Sequence, residues 1–399
     1  MKQSNKSLPI FLAFLAMGFG DAVGPMVSLA KDTFHLTNFL AQLLPFSGFI
    51  MFGILSIPMG VYQDRKGKRH VLLLGLFIAF IGLLIPIFNG MYGPVVDFSM
   101  GGQSAFFVIL LSILLLGAGA TILQVSGNPV MRDVSPEGKY SSNLSLAQSI
   151  KAIGSSLGFL LPPFVAMAFG LDWTILFPVY AVIVLIAFLW VQYTPFKDKA
   201  SESKTASLKS CFNLLFTNTY VFLMVLSIFL YVGAEVSMSS QVPILMKETY
   251  GLESFGLWIS WSLFFLPILI GRFVGSAILR VIAPIKFLML SVMISLAGIC
   301  FLFMGNQTFA FAGIFMVGLG FANIFPLVFS ITIDKMPARA NELSGLMVFA
   351  IVGGALIPPI TGAISDATSV LGGFMVPLVA ILYIGFAAVY NQNQNKALR

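Results

Sequence analysis

The chain is written in long apolar stretches separated by short polar ones. Val71 to Phe88 and Ile175 to Tyr193 are continuous runs of this kind, without the strict alternation that marks a strand with one wet face. A bilayer core takes roughly 20 mostly apolar residues per helix. Backbone N–H and C=O groups find no partner in lipid, so each crossing must be a helix or part of a closed barrel. The missing alternation selects helices, near 8–30, 39–61, 70–89, 104–131, 141–168 and 172–193, and again near 214–240, 254–280, 283–304, 307–333, 341–365 and 370–390. The expected fold is an all-α membrane protein of twelve transmembrane helices. The first run, from Leu8, lacks a small-residue cleavage site and is followed by further runs. It reads as a retained helix rather than a signal peptide.

Composition leads the same way. Hydrophobic residues make up 58% of 399, charged residues only 9%, and the mean hydropathy is +0.97. Soluble domains carry roughly a quarter charged residues, and a chain this long with so few cannot cover its surface in water. The net charge of +7 is dispersed among loops and forms no patch for nucleic acid. Its placement sets orientation. With the N-terminus inside, cytoplasmic loops hold Arg65, Lys66, Lys68 and Arg69, and later Lys197, Lys199, Lys204 and Lys209, while the opposite face holds only Lys31 and Lys247. By the positive-inside rule both termini are expected in the cytoplasm. Cys211 and Cys300 form no disulfide or metal spacing. His35 and His70 are placed in loops on opposite sides, so no histidine-centred metal site is expected.

The two sets of helices repeat each other. Lys31-Asp32-Thr33-Phe34 after helix one recurs as Lys247-Glu248-Thr249-Tyr250 after helix seven. Gly117 and Gly119, leading to Asp133 and Pro136, recur as Gly318 and Gly320, leading to Asp334 and Pro337. Pro162-Pro163 in helix five recurs as Pro358-Pro359 in helix eleven, where missing donors are expected to kink the spans. The Ser/Lys-rich stretch after Tyr193 divides the sets. The expected organisation is a six-helix bundle over 1–193, a cytoplasmic linker over 194–213 and a pseudo-symmetric six-helix bundle over 214–399. Parallel halves of this kind are a carrier design with the solute near the midplane.

After helix two comes a loop with Gly60, Asp64-Arg65, Gly67 and Arg69. It resembles the signature loop of the major facilitator superfamily. A tight cytoplasmic turn needs Gly67, and an acid such as Asp64 is favoured at a helix N-terminus. The resemblance implies that this neighbour is helix eleven, starting near Asn341, and that Gly60, Asp64, Arg65, Gly67 and Arg69 govern conformational gating.

Leu123-Gln124-Val125-Ser126-Gly127-Asn128-Pro129 in helix four, Leu144 to Gln148 in helix five and Tyr231 to Val236 in helix seven narrow the match. They resemble the fucose permease and glucose/galactose transporter family, whose membrane-embedded aspartate corresponds to Asp21 after Gly20. The resemblance implies import of a hexose or related sugar by symport with H+ or Na+, through alternating access. No nucleophile–base pair, metal cluster or phosphate loop is visible, so no enzyme activity and no cofactor is expected, and the chain is expected to act as a monomer in a bacterial inner membrane. The chain departs from the family at Gln124, where fucose permease has a second acid, and at Lys151, where an uncharged polar residue is common.

Charged groups at membrane depth usually face a cavity and pair. Four fall inside the predicted spans: Asp21, Lys151, Glu235 and Arg272. Asp21 is the expected cation-coupling residue, protonated or holding Na+ when loaded, with Lys151 as partner when empty; the alternative is a permanent ion pair. No other metal site is expected. Gln148 and Lys151 share a helix face, as do Gln124 and Asn128. With Glu235 and Asn323 they form the expected substrate-binding set. Each amide can instead be interhelical glue, and Glu235 can instead pair with Arg272. Two other readings stay open: a carrier of an anionic sugar derivative using Lys151, and a drug or metabolite efflux antiporter.

Overall fold

The structure, a computed structural model, describes residues 8–20, 22–95, 102–134, 140–194, 207–252, 256–279, 281–336 and 339–397. Among them, twelve helices are long and apolar enough to cross a membrane. The chain forms two compact units, Met1–Leu36 with Leu43–Ala206, and Thr37–Gln42 with Ser207–Arg399.

The first unit is built on spans 1 to 6: Leu8–Phe34, Asn38–Gln63, Lys68–Phe88, Gly102–Gly127, Leu146–Phe169 and Trp173–Tyr193. The start of span 2, through Gln42, groups instead with the second unit. Lipid offers no hydrophobic drive for helices to associate, so close backbone approach must supply the packing. Two glycines show how close it becomes. A Cβ on Gly117 would lie 2.0 Å from the Gly48 carbonyl oxygen, and one on Gly18 would lie 2.4 Å from that of Lys151. Spans 2 and 4, and spans 1 and 5, therefore meet backbone to backbone. The turn between spans 2 and 3 passes through Gly67 at φ 89°, a left-handed conformation that side chains disfavour. Arg69 then donates from Nη2 to the Gln192 carbonyl at 2.5 Å, holding span 3 to the end of span 6. At the other end, Trp173 Nε1 donates to Thr33 Oγ1 at 2.9 Å and ties span 6 to span 1. Asp172 caps the first turn of span 6 by accepting from the Thr174 N–H at 2.9 Å, while its burial raises the carboxyl pKa.

The second unit holds spans 7 to 12: Thr219–Glu248, Gly256–Gly275, Pro284–Leu302, Gln307–Lys335, Glu342–Ala367 and Val370–Gln392. Spans 7 and 11 meet as spans 1 and 5 do, the position corresponding by the repeat. A Cβ on Gly353 would lie 1.8 Å from the Phe229 carbonyl oxygen.

Two local features, His70 and the linker, differ from the sequence reading. His70 sits in the first turn of span 3 rather than in a loop, with its ring 3.5 Å from the Tyr62 hydroxyl. Pro162 and Pro163 lie inside a continuous helix, Tyr140–Phe169. The final part of the expected linker is ordered as a short helix, Leu208–Thr217, started by a capping box between Ser207 and Ser210.

Candidate functional site

In the first unit, span 1 is not a regular helix. Leu8–Met17 gives way to a 3-10 turn over Gly18–Gly20, and the α-helix resumes at Val23–Phe34. Sequence explains the weakness: three glycines fall between positions 18 and 24, and Pro25 removes a backbone donor from the next turn. The Ala22 N–H is shared between the Gly18 and Phe19 carbonyls, at 3.2 and 3.1 Å. Asp21 lies outside the described residues, immediately after this turn.

A narrow cleft opens beside the irregular turn. Span 1 contributes Met17, Gly20 and Val23, span 2 Gly48, Phe49 and Phe52, and span 4 Ile113, Leu116, Gly117 and Ala120. Lys151 of span 5 is its sole ionisable described lining residue. The lysine is set by the packing around it. Gly154, three residues on, approaches span 1 so closely that a Cβ would lie 2.3 Å from the Leu15 carbonyl oxygen. Tyr180 of span 6 donates its hydroxyl to the Gly154 carbonyl at 2.6 Å, and the Phe19 ring stacks at 4.0 Å from the Tyr180 ring. Span 5 is thus fixed against the glycine turn that precedes Asp21. The structure therefore brings Lys151 and Gly20 to one cleft. Gln124 and Gln148 are half-buried on spans 4 and 5. The side chains of Asn128 and Asp64 lie outside the described residues, while Gly60 has open space on its Cβ side and Arg65 is exposed.

The second unit has its own polar node, again at a broken helix. Span 10 runs as Gln307–Phe321 and Ile324–Lys335, with Ala322 and Asn323 between. Pro326 carries no N–H, so the Ala322 carbonyl has no partner four residues on. Side chains from two other spans gather here. Arg272 Nε of span 8 donates to the Ala322 carbonyl at 3.4 Å. The buried Tyr231 hydroxyl of span 7 donates to the Phe321 carbonyl at 2.9 Å. Asn323 Nδ2 donates to the Gly271 carbonyl at 2.8 Å. Glu235, one turn beyond Tyr231, pairs with Arg272 at 3.7 Å, and the two side chains remain 24% and 36% exposed. Partial exposure leaves both charges open to hydration or to a solute.

Sequence reasoning offered a Glu235–Arg272 pair and named Asn323 as a candidate, but missed that one break in span 10 collects all three. The available signal was Pro326, four residues after Ala322. Span 8 carries a second irregularity that went unread, a π-helical segment over Trp261–Phe265. Pro267 follows it closely, and π-bulges recur at functional sites.

Twelve spans in two units, each with a discontinuous helix beside which charged side chains of other spans gather, fit the design of a polytopic membrane carrier. The Major Facilitator Superfamily profile matches residues 10–358. The chain belongs to that superfamily. It is 25% identical over 386 residues to a glucose/galactose transporter of Brucella abortus, covering 94% of this chain and 91% of the relative. An L-fucose-proton symporter of Escherichia coli is 24% identical over 395 residues, covering 90% and 85%. The crystal structure of the E. coli fucose:proton symporter superimposes with a TM-score of 0.67 at 19% identity, covering 97% of this chain and 99% of that one. These relatives are carriers, not enzymes.

Proposed function

We propose that this protein is a sugar importer, moving a hexose or related sugar by symport with a cation through alternating access. The observation that carries the reading is Lys151 and the irregular Gly18–Gly20 turn meeting in one cleft, directly before an acid at membrane depth. The proposed cycle uses this carboxylate and lysine: cation binding neutralises Asp21 and releases Lys151, and cation loss restores the attraction. The names of the Brucella and E. coli relatives support sugar as solute, and the second favours H+ over Na+ as coupling ion.

Gln124, Asn128, Gln148 and Lys151 of the first unit, with Glu235 and Asn323 of the second, are the proposed solute contacts. Amides both donate and accept, which suits sugar hydroxyls. One hydrogen of the Asn323 amide nitrogen is engaged by the Gly271 carbonyl, which leaves the other and the oxygen for the proposed contact. Gly60, Asp64, Arg65, Gly67 and Arg69 are the proposed gating loop, with Asp64 at the start of span 11. The protein is proposed to act as a monomer in a bacterial inner membrane with both termini cytoplasmic, and the linker to stay on that side.

Substrate competition tests the reading. Labelled galactose should bind the purified protein, and excess glucose should displace it, whereas a sugar acid should not. Displacement by the acid alone would favour an anionic solute held by Lys151. Failure of every sugar to bind would favour the efflux reading.

A further inference from the structure

The outer end of span 2 carries an arrangement that no part of the solute cycle above uses. Residues 37–42 group with the second unit, although their chain neighbours Leu36 and Leu43 belong to the first. The segment forms a short helical turn, Asn38–Ala41, capped by Thr37. It docks on the last turns of span 11. Asp366 accepts from both leading donors, Oδ1 from the Asn38 N–H and Oδ2 from the Phe39 N–H, each at 2.8 Å. Gly362, one turn earlier, makes room: a Cβ there would lie 2.6 Å from the Asn38 carbonyl oxygen and 3.0 Å from Gln42 Cγ.

The docked state is also burdened. Gln42 and Gln241 are both 0% exposed, and neither the amide nitrogen nor the oxygen of either has a hydrogen-bond partner. The buried Ser365 hydroxyl is in the same condition. These residues share one end of the spans. Ser237 and Thr361 hydrogen-bond across spans 7 and 11 at 2.9 Å, and Gln241 and Ser365 each lie one helical turn further along. A buried amide that forgoes its hydrogen bonds opposes the burial, whereas charge-assisted bonds to a carboxylate favour it. Opposed contributions of this kind make a contact that can be released.

We infer that Asp366 is the catch, and Gly362 one turn earlier the seat, of a releasable latch that holds residues 37–42 on span 11, with Gln42 and Gln241 as the groups that regain water when it opens. The chain on both sides of the segment belongs to the other unit, so any rearrangement of span 2 must either carry the latch or break it. Its part in turnover rests on the carrier reading proposed above; the docking itself does not.

The test reads docking directly. In a Cys211→Ala, Cys300→Ser background, Gln42→Cys is labelled with a water-soluble maleimide on purified protein in detergent. Asp366→Ala is expected to raise the labelling rate about tenfold, since opening should become that much more frequent. Gly362→Ala, which crowds the docked turn from the other side, is expected to act in the same direction. If Asp366→Ala yields no folded protein, Asp366→Asn carries the test, because it keeps the shape and removes the charge. A buried control away from the cleft, Val184→Cys in the first unit, should keep its rate in every variant. Unchanged labelling at position 42, or an equal rise at position 184, overturns the latch.

Discussion

Arg272 shows how one side chain can serve two ends. Its pairing with Glu235 at 3.7 Å leaves the two side chains 36% and 24% exposed, and partly exposed pairs contribute little to stability. Its bond to the Ala322 carbonyl matters more, because Pro326 has removed the ordinary donor. Arg272→Ala should therefore destabilise the protein by about 1–3 kcal/mol, the penalty for an unsatisfied buried carbonyl. Glu235→Gln should cost under about 1 kcal/mol. Thermal unfolding in detergent separates them, and equal losses would show that the ion pair, not the carbonyl, is what Arg272 serves. Cys211 is a quieter case. Burial raises its thiol pKa, so it is mostly protonated at neutral pH and a poor nucleophile.

Among the elements, the two broken helices divide what sequence makes legible from what it hides. The span 1 break was readable, because Gly18, Gly20, Gly24 and Pro25 fall within about two turns and surround an acid. The span 10 break has one proline, and its partners come from spans 7 and 8, far away in sequence. No local pattern announces a carbonyl satisfied by a distant arginine. The Pro162-Pro163 pair marks no end of a helix: the helical assignment runs through it. Neighbouring spans can re-satisfy the freed groups. Asp366 escaped notice because it looks like any exposed loop-end acid until residues 37–42 fold against it. Small residues were legible as packing positions but not as partners. Gly353→Val should be severely disruptive, since its Cβ would occupy space within 1.8 Å of the Phe229 carbonyl oxygen. The expected outcome is aggregated or degraded protein, against a nearly normal yield for Gly60→Ala, where space is open. Comparable yields in fluorescence-detected size exclusion would contradict the backbone-to-backbone contact.

For the whole molecule, apolar run length was enough to find all twelve spans, with bounds good to about five residues except at the end of span 7, which runs on to Glu248. Charge placement was enough to propose orientation. Fusing alkaline phosphatase after Lys247 should give an active reporter, and fusing it after Lys68 an inactive one. The reverse pattern would place the termini outside. Solute identity was the least legible property, because hydroxyl-binding amides and interhelical amides are the same residues in the same helices.

The coupling claim depends on Asp21 and is best tested by gradient-driven uptake into proteoliposomes. Unaltered protein should concentrate labelled glucose or galactose when the outside is made acidic, or when sodium is supplied outside, with each gradient imposed separately. Asp21→Asn should lose that accumulation by at least about tenfold, a difference of about 1.4 kcal/mol in driving force, while still exchanging sugar with sugar at equilibrium. Accumulation by Asp21→Asn equal to that of the unaltered protein would contradict a cation cycle centred on span 1.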